Sequence, residues 1–310
     1  DTQAGTNRIF GQVSGSGGIT LDAPDKLLII SNINTHAGQN IVDRGTLVVT
    51  HAQSLGLNGP DDSLATIVRS GGELLLTPGL RLGDEKIILE GGTLGDFSGG
   101  YIRFNGPIVS DGGVINAEDW SVSDVELTGS LTLDASINGS IGGVISGQGP
   151  LIARSGETVL SGSNTYNGQT IVQPGSTLTI QKFDALGTGS GTDVDATIVQ
   201  AGGTLHIGSN ADTVLTEKII LEGGTLYAGA TEGPVELRSN GIVEATDLYG
   251  IVSGTGDLTV VGNSEYAETR LFVANTYTGK THLQSGQLIV NHAAGLGDTG
   301  AGTTITGGTL

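Results

Sequence analysis

The segment Val273–Thr281, "VANTYTGKT", places a lysine and a threonine where a phosphate-binding loop would have them. Its core fits the pattern G-x-x-x-x-G-K-[ST] except at Ala274, which replaces the first glycine. In such a loop, backbone amides would cradle the phosphates, Lys280 would reach them and Thr281 would hold magnesium. The pattern requires a strand before the loop and a helix after it. The residues that follow, "HLQSGQLIV", are strand-like on both sides of Gly286, so the context argues against a nucleotide site.

Two other stretches of the chain repeat this segment. They begin with "INTHAGQN" at Ile33 and "SNTYNGQT" at Ser163. The residue at the position of Lys280 is glutamine in both, Gln39 and Gln169. The lysine is therefore one variant of a repeated structural element. The residues that correspond across the three copies are Asn34, Asn164 and Asn275, and then Gly45, Gly175 and Gly286.

Longer repeats extend this register over the chain. "KIILEGGTL" occurs verbatim at 86–94 and again at 218–226. Three related stretches, beginning at Val13, Ile145 and Val252, open the copies. We predict one β-helix segment over residues 1–310 with long repeats at about 9–136, 137–243 and 244–310, the last of them incomplete.

A shorter period lies within each long repeat. Glycines at about 20–28-residue intervals each precede a short aliphatic run such as "TLVV", "ELLL" or "QLIV". Such runs are too short for helices and are rich in β-branched residues, so they predict strands. Glycine supplies the positive φ values of tight corners. We therefore predict an all-β fold, an elongated parallel β-helix (β-solenoid) with inward-facing Ile, Val and Leu.

Composition limits the function classes. The 310 residues carry a formal net charge of −19, with only 13 Lys and Arg and no basic cluster. Nucleic acid is therefore excluded as an expected partner, because phosphate contacts supply most of that affinity. The absence of cysteine excludes disulfides and thiolate metal sites. The absence of methionine indicates a piece of a longer protein, and no apolar run approaches the ~18–20 residues of a membrane span.

The shared element resembles the passenger-associated strand repeat of bacterial autotransporters. It runs roughly S-x-x-N-T-Y-x-G-x-T-x-[IV]-x-x-G-x-L-x-[IV], followed by a short link that ends in A-L-G. Residues 163–187 and 274–297 match it well. Residues 33–56 depart from it, with His36 for the tyrosine and Asn40 for the threonine.

The resemblance implies a right-handed parallel β-helix displayed outside a Gram-negative cell. It also implies that a C-terminal outer-membrane barrel lies beyond this segment and is its only expected contact with the membrane. The repeat is associated with export and folding of the passenger, and large adhesins use many copies as a stalk. The partners that it leaves open are host surface components, neighbouring-cell components and self-association. No catalytic residues come with it.

A glycan-active or glycan-binding β-helix is the competing hypothesis. It requires two carboxylates ~5–9.5 Å apart for hydrolysis, or an acidic or aromatic groove across adjacent coils for binding. Asp193 and Asp195 alternate in sequence and are expected to share a strand face. The other acidic pairs are Asp61 with Asp62 and Glu118 with Asp119. We interpret all three pairs as solvated corners.

Metal and protease motifs are weak in this sequence. "GTGSGTDVD", residues 187–195, partly fits a calcium-binding nonapeptide but lacks the tandem repetition that completes the oxygen shell. "DTG" at 298–300 matches an aspartic-protease triplet with no partner. The histidines, His36, His51, His206, His282 and His292, form no metal-ligand pattern. We therefore assign no catalytic residue, no metal ligand and no cofactor.

The asparagine and aromatic residues of the repeat are expected to be structural. The repeat asparagines lie beside predicted turns, where we expect them to bond local backbone. Tyr166 and Tyr277 are expected to cover a coil edge or stack on a neighbour. Trp120 stands alone in "NAEDWSVSD", as a local anchor or a contact residue.

Overall fold

The computed structural model describes residues 6–208 and 214–310, and every regular element in these ranges is a β-strand. The chain forms two compact units, Asp1–Pro150 and Leu151–Leu310. Residues 1–5 of the predicted segment and residues 209–213 of its second repeat lie outside the described residues. The division into one segment with three long repeats stays a prediction. In the described ranges, no helix is long and apolar enough to cross a membrane.

Residues 6–150, the described part of the first unit, contain sixteen strands of two to eleven residues. They are β1 (Thr6–Ile9), β2 (Ser14–Gly15), β3 (Thr20–Ile30), β4 (Thr35–His36), β5 (Asn40–Val49), β6 (Thr66–Arg69), β7 (Gly72–Leu76), β8 (Arg81–Leu82), β9 (Ile87–Glu90), β10 (Thr93–Asp96), β11 (Tyr101–Phe104), β12 (Ile108–Asp111), β13 (Gly113–Val122), β14 (Val125–Leu127), β15 (Leu131–Ile141) and β16 (Ile145–Gly147).

The second unit continues with short strands of the same kind. They are β17 (Leu151–Leu160), β18 (Thr170–Val172), β19 (Ser176–Ile180), β20 (Thr197–Gln200), β21 (Thr204–Ile207), β22 (Val214–Leu215), β23 (Ile219–Glu222), β24 (Thr225–Tyr227), β25 (Ala230–Thr231), β26 (Val235–Leu237), β27 (Gly241–Glu244), β28 (Asp247–Leu248), β29 (Val252–Gly254), β30 (Leu258–Val261), β31 (Glu268–Leu271), β32 (Thr281–Leu283), β33 (Gln287–Val290) and β34 (Thr303–Ile305).

Strands one coil apart pair in parallel in the first unit. β5 pairs with β7 so that Gly45 lies opposite Gly72 and Leu47 lies opposite Leu74. β7 then pairs with β10, which places Leu74 opposite Leu94. Because the predicted glycine period equals the distance between paired strands, the glycines mark successive coils.

The second unit stacks in the same way. The parallel pairs of β19, β21 and β24 align Leu178, Leu205 and Leu226. β24, β27 and β30 continue the column through Val243 and Val260. The predicted fold class is confirmed: the protein is all-β, with parallel strands that form a β-solenoid.

The core of each unit follows from the alternation of side chains along the strands. In β7, Leu74 and Leu76 are buried and the residues on either side of Leu74 are more exposed. Each fully buried aliphatic side chain contributes about 1.5–3 kcal/mol. A strand of four residues buries only two such groups, so no coil is stable without the coils above and below it.

Glycine is required at the coil corners by both conformation and space. Gly45 has a φ of 95°, a region that side-chain-bearing residues rarely adopt. A Cβ atom at this position would lie 2.3 Å from the carbonyl oxygen of Ala23. Without a side chain, the corner lets the backbone of one coil approach the next.

Trp120 is an interior anchor of the first unit, with 1% of its surface exposed. It lies opposite Gly139 in the parallel pair of β13 and β15. A Cβ atom on Gly139 would lie 2.2 Å from Cζ2 of the indole ring. The ring therefore occupies the space that the glycine leaves open on the neighbouring strand.

We predict that Gly139→Ala destabilises the first unit by about 1–3 kcal/mol, because the added methyl group overpacks the site of the indole ring. The measurement is denaturant unfolding followed by the fluorescence of Trp120, the only tryptophan in the sequence. Gly83→Ala is the matched control, since a Cβ atom there meets nothing within 4 Å. Equal unfolding midpoints for the two variants would contradict the packing described here.

Candidate functional site

The segment that resembles a phosphate loop is an ordinary coil of the solenoid. Thr281 begins strand β32 rather than a helix. The side chain of Thr281 is buried and its Oγ1 lies 2.6 Å from the hydroxyl oxygen of Tyr277. The threonine that would hold magnesium is thus enclosed in the core, and the structural context of a nucleotide site is absent from this segment.

The repeat asparagines bind neighbouring coils. Oδ1 of Asn34 accepts a hydrogen bond from the backbone N–H of Val13 at 2.8 Å, and its Nδ2 donates to the carbonyl oxygen of Ser54 at 2.6 Å. Asn275 repeats both bonds, with Val252 N–H at 2.8 Å and the Gly295 carbonyl at 2.6 Å. The expectation of local backbone bonds was therefore wrong. The turn places the side-chain amide of each asparagine beside the coils before and after it. The backbone groups that it bonds there lie about 20 residues away in the sequence in each direction.

A buried polar pair follows each asparagine, two and six residues further along the chain. Tyr166 and Tyr277 are fully buried, and their hydroxyl groups lie 2.6 Å from Oγ1 of Thr170 and Thr281. Burial raises the pKa of both tyrosines. The rings are core residues, so the expectation that they cover a coil edge was wrong. Stacked coils on both sides enclose them.

In the first copy, a buried histidine and asparagine, His36 and Asn40, replace the tyrosine and the threonine and also form a hydrogen bond. The ring Nε2–H of His36 donates to Oδ1 of Asn40 at 2.8 Å. Asn40 is itself buried, and its Nδ2 donates to the Leu55 carbonyl at 2.8 Å. The two departures from the repeat pattern are thus coupled: each supplies the partner that the other needs.

Two buried glutamic acids, Glu85 and Glu217, have strongly raised pKa values. Glu85 accepts a hydrogen bond at Oε1 from Thr66 Oγ1 at 2.6 Å, and Glu217 accepts one from Thr197 at 2.7 Å. The second oxygen, Oε2, is buried without a hydrogen-bond partner in each. Burial raises the pKa of Glu85 to about 8 and that of Glu217 to about 8. At neutral pH both carboxyl groups are therefore mostly protonated.

Sequence reasoning missed these two glutamates. The signal that could have found them is their recurrence: each directly precedes a verbatim "KIILEGGTL". Residue type alone points the other way, because glutamate is almost never fully buried without a partner.

The residues of the first two acidic pairs form ion pairs at the surface or accept hydrogen bonds within turns. Asp62 forms an ion pair with Lys86, and Oδ1 of Asp61 accepts the backbone N–H of Ser63 at 2.9 Å. Asp193 forms ion pairs with Lys218 and Arg238. The hydrogen bond from Lys218 is the largest cause that lowers the pKa of Asp193, and the charges of Lys218 and Arg238 lower it further.

Asp193 and Asp195 do not share a face, so that expectation was wrong. Residues 193–195 form a turn, to which strand alternation does not apply. Asp193 is exposed, whereas Asp195 is 7% exposed and accepts the Ser190 N–H at 2.5 Å. Burial pushes the pKa of Asp195 up, but the bonds from Ser190 outweigh it and the pKa is lowered.

The third pair, Glu118 with Asp119, lies at an irregularity in β13. The register with β15 shifts between Ala117 and Asp119. The backbone N–H of Glu118 donates to Oδ1 of Asp96 at 2.9 Å. Within residues 6–208 and 214–310, no group of three or more His, Cys, Asp or Glu side chains converges as a metal site would.

The remaining sequence candidates lie in turns or on strands. Nδ1 of His51 accepts the Gln53 N–H, and Nδ1 of His292 accepts the Ala294 N–H, both at 3.1 Å. His282 pairs with Asp257 at 3.1 Å, and the ring of His206 lies 4.8 Å from that of Tyr227. Asp298 of "DTG" accepts the Gly300 N–H at 2.9 Å. The structure brings none of these groups together in a cleft.

One concave surface of the second unit combines polar groups from three successive coils. Its residues are Asn263–Glu265 from one coil, Ser285 and Gly286 from the next, and Gly308 and Thr309 from the one after. We call this surface the corner groove. Its volume is about 510 Å³, within the usual range for small-ligand sites. It offers an amide, hydroxyl groups and one carboxylate, and sequence reasoning did not anticipate it.

Comparison with known proteins gives one relative to report. The protein named Adhesin BmaC autotransporter, from Brucella suis biovar 1 (strain 1330), is 30% identical to this chain over 207 residues. The alignment covers 62% of this chain and 6% of that protein. This chain thus spans a small fraction of the relative's length. No model of a known protein family matches the chain, and no solved structure matches it significantly.

The predicted resemblance is confirmed. The chain is similar to an autotransporter adhesin, and its parallel β-solenoid fits the β-helical passenger of an autotransporter. The alignment supports the class of protein, and the parallel pairing of the strands supports the fold.

We predict that His36→Tyr and Asn40→Thr compensate each other. Either single change leaves a buried polar group without its partner and should cost about 1–3 kcal/mol. The double variant recreates the Tyr–Thr pair of the other copies and should recover the part of that loss that comes from the pair, whereas the Leu55 carbonyl stays without the donor that Asn40 supplied. Unfolding followed by Trp120 fluorescence measures the coupling. A double variant as unstable as the sum of the single changes would show that the pairs are not equivalent.

We predict that the buried Glu85 makes the first unit less stable as the pH rises. Its pKa is raised from 4.5 to about 8. Between these values the folded state holds a proton that the unfolded state has lost, so the unfolding free energy falls with increasing pH. The full effect is on the order of a few kcal/mol. Denaturant unfolding between pH 5 and pH 8 would measure it.

Glu85→Gln keeps the acceptor for Thr66 and cannot ionise. It should flatten this pH dependence, so that its stability relative to wild type is greatest near pH 8. Glu126→Gln, an exposed position on β14, is the control and should leave the pH dependence as in wild type. An unchanged slope in Glu85→Gln would contradict the assignment.

Proposed function

We propose that this chain is a structural and adhesive passenger segment, a stalk, of an autotransporter-like bacterial surface protein. It projects from the cell surface and supports the export and folding of the passenger. The observation that carries the proposal is the coil-on-coil stacking in both units, each coil in parallel register with its neighbours. The similarity to an autotransporter adhesin supports the same reading.

Support for the export role comes from the bonds that each copy makes between coils. Asn34 joins the backbone of the coil before it, at Val13, to that of the coil after it, at Ser54. A coil that has folded outside the membrane therefore presents ready partners to the next one. Docking each coil on its predecessor makes outward movement favourable, since a repeat is stabilised mainly by its neighbours.

The proposed role is not catalytic. The relative is named an adhesin, and the acidic pairs that could have served a glycosidase are engaged elsewhere. Asp62 and Asp193 are held in ion pairs with lysines. Asp195 is held in a turn by Ser190.

The proposed location is the outer surface of a Gram-negative bacterium, as an anchored or a secreted protein. The proposed partners are components of host or neighbouring cells, or further copies of the chain. A net charge of −19 argues against nucleic acid among them.

We predict that a whole-coil deletion shortens the stalk and leaves adhesion intact. Removing residues 45–112 joins Arg44 to Gly113 in register and takes out three coils. At ~4.8 Å per coil the loss of length is roughly 14 Å. The deletion is made in the full protein on its native cell, and adhesion to cell layers is compared with wild type.

Surface exposure of a tag at the deletion boundary is the control for export. Loss of all adhesion with normal export and folding would contradict the stalk and place the adhesive site within residues 45–112.

A further inference from the structure

The corner groove is built where three glycines stack. Gly262, Gly286 and Gly308 follow one another across its floor, and a Cβ atom on Gly262 would lie 2.7 Å from Cα of Gly286. Gly286 and Gly308 have φ values of 76° and 79°. Side chains are therefore kept out of the floor by space and by conformation, so the groove is a fixed property of the corner.

The loop that forms one wall is held in place from the next coil. Oγ of Ser285 both accepts the Gly262 N–H and donates to the Gly262 carbonyl, each at 2.9 Å. Nε2 of Gln287 donates to the Glu265 carbonyl at 3.0 Å. Ala267 N–H closes a turn on the Ser264 carbonyl at 3.2 Å. A wall held by these bonds is preorganised for a ligand.

An exposed tyrosine stands at the tip of this loop. Tyr266 directly follows Glu265 and is 78% exposed, in contrast to the buried repeat tyrosines. The loop is longer than its counterpart: Leu258 to Tyr277 spans 20 residues, whereas Leu151 to Tyr166 spans 16. The longer loop thus carries a large aromatic ring that lies mostly in solvent.

The first unit offers a comparison at the equivalent corner. There, a groove of about 280 Å³ is lined by Asp25, Thr46, Glu73 and Thr93 beside stacked glycines. Like the corner groove, it has carboxylate and hydroxyl groups and no aromatic residue among its lining. The recurring corner therefore supplies a polar groove, and in the third copy an exposed tyrosine directly follows Glu265, the last lining residue of the loop.

We propose that the corner groove with Tyr266 is a binding site for a saccharide. A pyranose ring has an apolar face of C–H groups, which fits an exposed aromatic ring, and a rim of hydroxyl groups. The amide of Asn263, the carboxylate of Glu265 and the hydroxyl of Thr309 provide donors and acceptors for that rim. The volume of about 510 Å³ accommodates one or two sugar units.

Charge narrows the ligand class to neutral or amino sugars. Glu265 is the charged residue of the groove lining, and the chain as a whole carries −19. A sialic or uronic acid would bring a second negative charge close to the carboxylate of Glu265, and the repulsion between the two charges would weaken binding. A protonated amino sugar would gain from the same carboxylate.

This inference names a ligand class for the proposed adhesive function. The biological role of the site rests on that function, whereas the binding itself does not. The test applies the full purified chain to immobilised neutral, amino-sugar and sialylated or uronic-acid oligosaccharides. Wild type is expected to bind members of the first two groups. Tyr266→Ala and Glu265→Gln are each expected to weaken that binding by about tenfold or more.

Tyr101→Ala is the matched control, because Tyr101 is an exposed tyrosine of the other unit, and it should bind as wild type does. Thermal unfolding of each variant checks that the fold is retained. Three results would overturn the proposal: no binding of neutral or amino sugars, a preference for the anionic sugars, or undiminished binding by Tyr266→Ala.

Adhesion of cells that carry wild type or Tyr266→Ala separates this inference from the proposed function. If wild-type cells adhere while the chain binds no saccharide, the site is wrong and the adhesive role stands. If the chain binds saccharides while wild-type cells do not adhere, the adhesive role is wrong and the site stands.

Discussion

Parallel backbone pairing between one coil and the next is the constraint on which the other features depend. Most strands are only a few residues long, and their N–H and C=O groups are satisfied by strands of the neighbouring coils, about 16–27 residues away in the sequence. The repeat asparagines extend this pairing into the turns by bonding backbone on both sides. Because every coil needs its neighbours, stability is a sum of nearest-neighbour terms, and whole coils can be gained or lost in register.

The interior of the solenoid holds more polar side chains than an aliphatic stack requires. They are tolerated because most find partners: Tyr166 with Thr170, and His36 with Asn40 in the copy that departs from the pattern. Glu85 and Glu217 are two of the exceptions, with one carboxyl oxygen each left unpaired. Remaining protonated reduces the cost of burying these carboxyl groups, since a neutral acid is far less costly to desolvate than a carboxylate.

Within each coil, the strands and corners maintain the fold, and the connecting loops vary between copies. The strands and their glycine corners repeat because a change there disturbs the coils on both sides. The connecting loops differ in length between copies, since they face solvent and leave the ladder intact. The loop of Tyr266 is one such variation, and the proposed saccharide site is the result of adding it to a corner that the fold already provides. A β-solenoid can therefore acquire a binding site without a change in its core.

The sequence by itself determined the coil. Periodic glycines and short aliphatic runs predicted the strands, and the predicted glycine interval of about 20–28 residues agrees with the pairing of Gly45 with Gly72. The similarity of the three "NT" segments also showed that "GKT" was no nucleotide site. These inferences succeeded because corner conformation and inward-facing alternation depend on residues near one another in the chain.

Only the tertiary structure decided where the polar side chains point. The partners of Asn34, the enclosure of Tyr166, the burial of Glu217 and the separation of Asp193 from Asp195 all depend on contacts between coils or on the path of a turn. The corner groove is assembled from residues 263–265, 285–286 and 308–309 in the same way. The sequence periodicity predicts which coils are neighbours. It does not state which side chain of a turn faces the adjoining coil, because that depends on the three-dimensional stacking of loops whose lengths differ.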